Sequence, residues 1–223
     1  MHRTVDRKEW LEERKALLEL EKEHKRASDA LAAKRRELPW VEVTADYRFV
    51  GATGEVSLSD LFGERRQLVV YHFMFGADWD NPCKSCSFWA DHFASAIRHL
   101  GKRDVRLIAV SIAPRDKLVG AADREGWTFP WYSSAGSSFN TDFGVTFSKD
   151  PGASYNYKPA PDTKGEMPGV SCFIKQDGKV FHSYSAFARG LEPMNSTYGI
   201  LDLTPRGRDE DELGWPMEWV SRD

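Results

Sequence analysis

Residues 79–90 read W-D-N-P-C-K-S-C-S-F-W-A. Cys83 and Cys86 stand three apart with Pro82 before the first. Alone, the C-x-x-C tetrapeptide is a weak signal, so its surroundings carry the argument. Upstream, residues 67–75 (Q-L-V-V-Y-H-F-M-F) are a continuous apolar run of strand length, as expected of a strand buried on both faces of a sheet. Downstream, Phe88, Trp89, Phe93, Ile97 and Leu100 recur at helical spacing until Gly101. The spacing predicts one helix there.

The chain then alternates again. Arg106 to Ser111 reads as a strand, and Pro114 opens a helix. Residues 127–133 (W-T-F-P-W-Y-S) read as an extended segment. Residues 148–166 are rich in Pro, Gly, Lys and Tyr without periodicity, which predicts a long loop. Gly169 to Ile174 and Val180 to Tyr184 form two strands around Asp177-Gly178, a strong hairpin signal. A last helix is expected from Leu191 towards Leu203. Before the cysteines, V-E-V-T-A-D-Y-R-F (41–49) alternates like one strand, G-A-T-G-E-V is a turn, and Ser57 to Phe62 reads as a short helix.

Residues 5–38 are predicted to form one long helix. Trp10, Leu17, Leu20, Ala27, Leu31 and Leu38 recur among Glu, Lys and Arg, and Pro39 ends it. An amphipathic helix lying on its own domain or on a partner chain is expected. A coiled-coil homodimer arm is the alternative, although His24 and Lys34 interrupt the seam. The domain reading is a helical extension over 1–40, an α/β domain over 41–205 and a polar tail over 206–223.

With 223 residues, a net charge of -3 and 41% hydrophobic residues, the chain suits one domain with an appendage and does not call for nucleic acid. No stretch is apolar enough to span a membrane, and the N-terminus is charged, so a cytoplasmic protein is expected. Three cysteines in a reducing compartment argue against a disulfide framework and for a catalytic or metal-binding pair.

A C-x-x-C beside a βαβ pattern reads as a thioredoxin-like redox motif. At a helix N-terminus, unpaired N–H groups and the helix dipole stabilise a thiolate, so Cys83 is the expected nucleophile. Cys86, one turn inside, is placed to resolve a mixed disulfide at Cys83. Lys84 adds nearby positive charge, or is only a solvated spacer. Met167 and Pro168 precede the hairpin strand, where thioredoxin-like folds carry a cis proline facing the cysteines; an ordinary trans proline is the bland reading. Trp79 is a candidate substrate contact, and Tyr71 and Asp78 are candidate proton donors or modulators of Cys86. Cys172 reads as a buried structural thiol, and Arg189 as an exposed loop arginine or an anion contact.

Taken together, these segments resemble a known family. The resemblance rests on L-E-E-R-K-A-L-L after Trp10, R-R-E-L-P-W-V near residue 40, Y-H-F-M-F-G-A-D-W and C-K-S-C-S-F-W-A-D-H-F. It continues through F-P-W-Y-S-S, F-N-T-D-F-G-V, P-G-V-S, A-R-G-L and L-D-L-T-P-R-G-R-D-E. They are similar to domain-of-unknown-function family 899, predicted dithiol–disulfide oxidoreductases of the thioredoxin-like superfamily. The resemblance implies an α/β thioredoxin-like fold, a central mixed sheet flanked by helices, and thiol redox chemistry without naming a substrate. The expected activity needs no bound cofactor. It needs a protein or small-molecule disulfide as substrate and a separate electron donor.

Four rival readings remain. Zinc would use both cysteines and further ligands such as His72 or His92. Copper(I) would pair them with His182, although copper-delivery families space their cysteines one residue wider. A peroxiredoxin-type site resembles P-x-x-x-T/S-x-x-C, whereas Asp80 stands three before Cys83 and no proline stands seven before it. A non-catalytic interaction module would use the long helix and the eight tryptophans.

Overall fold

The computed structural model describes residues 2–221. It divides into two units, one ending at Pro39 and the other beginning at Trp40.

The first unit is helix α1, Arg7–Arg36. Asp6 caps it by accepting from the Glu9 N–H at 2.8 Å. Glu9 in the first turn and Lys34, Arg35 and Arg36 in the last complement the helix dipole. Leu17, Leu20 and Leu31 on its apolar stripe are each more than half exposed, and no residue of α1 is buried.

The second unit is built on an eight-stranded mixed sheet. Its strands are β1 Val41–Glu42, β2 Arg48–Gly51, β3 Gly54–Ser57, β4 Gln67–His72, β5 Val105–Ser111 and β6 Trp131–Ser133, with two later strands of the hairpin. Between β6 and that hairpin lie α5 (Phe139–Asp142) and the short strands β7 Thr146–Ser148, β8 Ser154–Tyr155, β9 Lys158–Pro159 and β10 Lys164–Glu166. The hairpin is β11 Gly169–Gln176 and β12 Lys179–Phe187. The order across the sheet is β1-β12-β11-β4-β5-β6-β2-β3, with β4, β5 and β6 parallel and the other pairs antiparallel.

Alternation along β4 and β5 sorts the core into two layers. Tyr71, Leu107 and Ala109 face a cluster shared with α2 (Lys84–Ala90) and α4 (Arg115–Glu125). Leu68, Val70, Ile108 and Val110 face a second cluster with Phe49, Phe62, Phe139 and Phe173. Each fully buried aromatic or aliphatic side chain contributes about 2 kcal/mol of transfer free energy. The Asp177-Gly178 turn has both residues at positive φ, 51° and 77°, as a tight hairpin requires. A bulge at Cys172/Phe173 leaves Ser183 as the extra residue on β12.

Several sequence expectations need correction. The 41–49 strand is two strands: Val43 still bonds Val180, and the chain then crosses to the other edge of the sheet, where β2 joins β3 and β6. Alternation does not reveal such a jump. Residues 57–62 give only a 3₁₀ turn, Asp60–Phe62, and 127–133 give only β6. The helix after the cysteines breaks at residues 91–96 and resumes as α3, Ile97–Lys102. There the N–H groups of His92, Phe93 and Ala96 bond three residues back instead of four. Phe93 packs edge-on against Tyr71 at 5.0 Å, and the His92 ring is held by Ser196 and Thr197. The 148–166 loop holds a small hairpin, β8–β9, and β10 pairs with β7. Those strands are too short to show a period. The final helix is a 3₁₀ stretch, Ala188–Met194, containing Pro193, followed by α6 (Ser196–Leu201), which Asn195 caps.

Candidate active site

The site forms where β4 ends and α2 begins. The chain leaves β4 at His72 and loops back so that the Cys83 N–H bonds the Met74 carbonyl at 3.1 Å. Cys83 is the N-cap of α2, with φ -58° and ψ 122°. It is half-buried, Cys86 is buried, and both are free thiols. The two cysteines stand 4.0 Å apart.

Their protonation behaviour diverges. The hydrogen bond from the Cys86 thiol chiefly holds Cys83 down, to about 6. Burial opposes this, and the Cys86 and Ser85 backbone N–H groups and the Ser85 hydroxyl add to it. Burial drives Cys86 well above the ordinary thiol range, and the neighbouring Cys83 adds to that. One sulfur is thus poised as a thiolate near neutral pH, and its neighbour is a buried proton donor.

Tyr71 is wholly buried beneath the pair, its hydroxyl donating to the Cys86 carbonyl at 3.3 Å. Burial first, and Cys86 next, raise its phenol well above the ordinary range. Trp79 is half-buried in the loop before the cysteines. Its ring lies on Gly76, where a Cβ would come within 2.4 Å of the indole nitrogen. Asp78 is exposed, and no hydrogen bond joins it to either cysteine among the described residues. Lys84 is turned away from the thiols. Its ammonium donates to the Glu218 carbonyl at 2.9 Å and lies 4.9 Å from the centre of the Trp215 ring.

Met167 bonds the Val145 carbonyl through its N–H at 2.8 Å and is half-buried. The bond before Pro168 is trans, since no cis peptide occurs among the described residues. This is the ordinary trans reading of Pro168, whose carbonyl accepts from the Tyr155 hydroxyl at 2.8 Å. Cys172 is half-buried in β11, and burial pushes its thiol up to about 11. Arg189 is exposed and paired with Glu192 at 2.7 Å.

Three features escaped the sequence reading. Lys117 on α4 reaches the carbonyls of Ala77 and Trp79, each at 2.9 Å, and so pins the loop before Cys83. Tyr155 anchors the 148–166 loop through Pro168 and the Ala188 N–H, and the charge of Cys86 acts on its phenol. The segment after Pro205 packs on α2: Trp219 meets Phe88 edge-on at 5.3 Å, and Val220 is buried in the same cluster as Cys86. Nothing in residue type or spacing announces these contacts.

The metal readings find no assembled site. Among the described residues, no group of three or more His, Cys, Asp or Glu side chains is placed to hold an ion. His72 and His182 belong to a separate buried network, in which their Nε2 atoms bond Ser171 and Ser185 at 2.8 Å each and the two serine hydroxyls bond each other at 2.8 Å. No helix is long and apolar enough to cross a membrane among the described residues.

Comparison with solved structures places the fold. Two structures of Xanthomonas campestris peroxiredoxin Q align with TM-scores of 0.52 at 13% identity. They cover 74% and 72% of this chain and 97% and 93% of theirs. Peroxidoxin BcpB of Mycobacterium tuberculosis aligns at 17% identity and TM-score 0.49, over 72% of this chain and 95% of that one. At 13% identity the likeness to the two peroxiredoxin Q structures shows the fold alone, which is thioredoxin-like. No curated protein matches the sequence significantly. The family described as "Bacterial protein of unknown function (DUF899)" matches residues 1–223. The chain therefore belongs to the DUF899 family.

Proposed function

We propose that the protein is a thiol–disulfide oxidoreductase cycling between a Cys83/Cys86 dithiol and a disulfide. The observation that carries this is the pairing of a thiol on the N-cap residue of α2, held down to about 6, with a buried thiol 4.0 Å away. The Cys83 thiolate attacks one sulfur of a substrate disulfide. A mixed disulfide forms, and the other substrate sulfur leaves as a thiolate that takes up a proton. Cys86 then gives up its proton and attacks the Cys83 sulfur, and the second substrate thiolate leaves. The substrate gains two electrons, the protein holds the new S–S bond, and an external dithiol donor restores it. Tyr71 fixes the Cys86 backbone for this second step, and Trp79, Met167 and Pro168 shape the approach to Cys83. No cofactor takes part, and a reducing, cytoplasmic setting suits the cycle.

The fold shared with peroxiredoxin Q favours a second reading. In it the Cys83 thiolate attacks a peroxide O–O bond, giving a sulfenic acid and an alcohol or water, and Cys86 then displaces water to form the same disulfide. Asp80, where the peroxiredoxin pattern has Thr or Ser, supports it less.

One experiment addresses both readings. Titrate the protein in dithiothreitol redox buffers, and incubate the Cys86→Ser variant with a disulfide peptide and separately with peroxide. The proposal expects a reversible two-electron Cys83–Cys86 couple and a trapped mixed disulfide at Cys83. Rapid sulfenic acid formation with no peptide trapping would favour the second reading. No couple at all would end both.

A further inference from the structure

At the opposite end of β4 and β5 from the cysteines lies a hollow of about 600 Å³. Four basic side chains line it: Arg65 before β4, Arg98 and Lys102 on α3, and Arg106 on β5. Glu64 is the one acidic residue in the wall. This concentration runs against a chain whose net charge is -3. Nearby Arg66 is neutralised by Asp104 at 2.7 Å. Among the described residues, by contrast, no carboxylate lies within ion-pair distance of the four cations in the wall.

Arg106 is held in place without a counter-charge. Its guanidinium donates to the Tyr132 hydroxyl at 3.0 Å. Its other terminal nitrogen lies on Gly63, 2.4 Å from where a Cβ would stand. Gly63 has a φ of 55°, so the position favours glycine twice over: for its backbone and for the arginine above it. Ile97 and Pro130 give the hollow partly exposed apolar surface, backed by the buried Phe62 and Leu107. The volume lies within the range of small-molecule sites.

We propose that this hollow binds a small ligand carrying two adjacent phosphate groups on an apolar or aromatic body. Unpaired cations facing a common space repel one another, and a polyanion relieves that repulsion. Guanidinium groups match phosphate oxygens with paired N–H donors, which favours phosphate chemistry over a single carboxylate. One phosphate engages Arg106 and Arg65 and the other Arg98 and Lys102, while the body covers Ile97 and Pro130. The site is remote from Cys83 and does not depend on the redox reading.

The test is calorimetric titration of the full chain at physiological ionic strength with adenosine diphosphate, inorganic pyrophosphate and citrate. Saturable one-to-one binding of adenosine diphosphate is expected, with pyrophosphate weaker and citrate at least tenfold weaker. Arg98→Glu and Lys102→Glu, both at exposed positions, should each weaken binding at least tenfold while leaving unliganded thermal unfolding unchanged. Lys164→Glu, an exposed basic position outside the hollow, should leave binding unchanged. Pyrophosphate binding as tightly as the nucleotide would overturn the role of the apolar surface. Absence of binding, equal binding of citrate, or binding unaffected by the two hollow variants would overturn the site.

Discussion

Tyr71 and His72 are neighbours at the end of β4, yet they serve opposite faces of the sheet. On the Tyr71 face, buried polar groups gather around a thiol that takes a charge. On the His72 face, a chain His72–Ser171–Ser185–His182 links the two imidazoles through two serine hydroxyls, with the buried His72 Nδ1 left without a partner among the described residues, and burial holds His72 down to about 3, so it stays neutral. Burial alone acts alike on both faces: it drives Cys86 up and His72 down, each towards its uncharged form. Only Cys83, half-buried at a helix N-terminus with several donors aimed at it, escapes this rule. Hydrogen-bond donors, rather than depth, separate the thiol proposed as nucleophile from the groups around it.

The largest effect is expected from Cys83→Ser, which should lower disulfide turnover by more than about 100-fold without loss of fold. Turnover assays beside circular dichroism check this. Cys86→Ala removes the main donor to Cys83, so the pH midpoint of Cys83 reactivity should climb from about 6 towards its ordinary value. Truncation on the opposite face should do the reverse. His72→Ala should cost about 3 kcal/mol in urea unfolding through cavity formation and loss of the bond between the ring and the Ser171 hydroxyl, and should leave the Cys83 midpoint in place. A midpoint that moved with it would show the faces to be coupled.

Acid should destabilise the protein through both groups, and the windows differ. The folded His72 pKa, about 3, lies below its ordinary 6.5. Its contribution is whole above 6.5 and is lost as pH falls through about 3, on the order of a few kcal/mol. Cys83 is likewise depressed, from 9.0 to about 6, so its contribution is whole above 9 and fades as pH falls through 6. Urea midpoints between pH 4 and 6.5 should therefore flatten in His72→Ala but not in Cys83→Ser. The smallest effect belongs to Tyr71→Phe, which loses one hydrogen bond to the Cys86 carbonyl and should cost about 1 kcal/mol.

The sequence made the frame of the site legible. The apolar run of β4, the C-x-x-C, the helix opened at Pro114 and the Asp177-Gly178 turn all stand where local pattern puts them. Each depends on short-range chemistry. What failed depends on long-range contact. The break after α2 arises where Phe93 reaches Tyr71, and periodicity at 88, 89, 93, 97 and 100 survives it unmarked. Lys84 reads as a charge beside a thiol, but the Glu218 carbonyl and the Trp215 ring claim it. Lys117 and Tyr155 come to the site from 34 and 72 positions past Cys83 with no motif to mark them. Pro168 stands beside β11 as expected, with a trans bond before it.

The most direct measurement is alkylation by iodoacetamide from pH 4 to 10, with the labelled cysteine identified by mass spectrometry. Cys83 should label first, with a rate midpoint near pH 6, while Cys86 and Cys172 stay unlabelled across the neutral range. A Cys83 midpoint near 9, or labelling of Cys86 or Cys172 ahead of it, would contradict the assignment of the nucleophile.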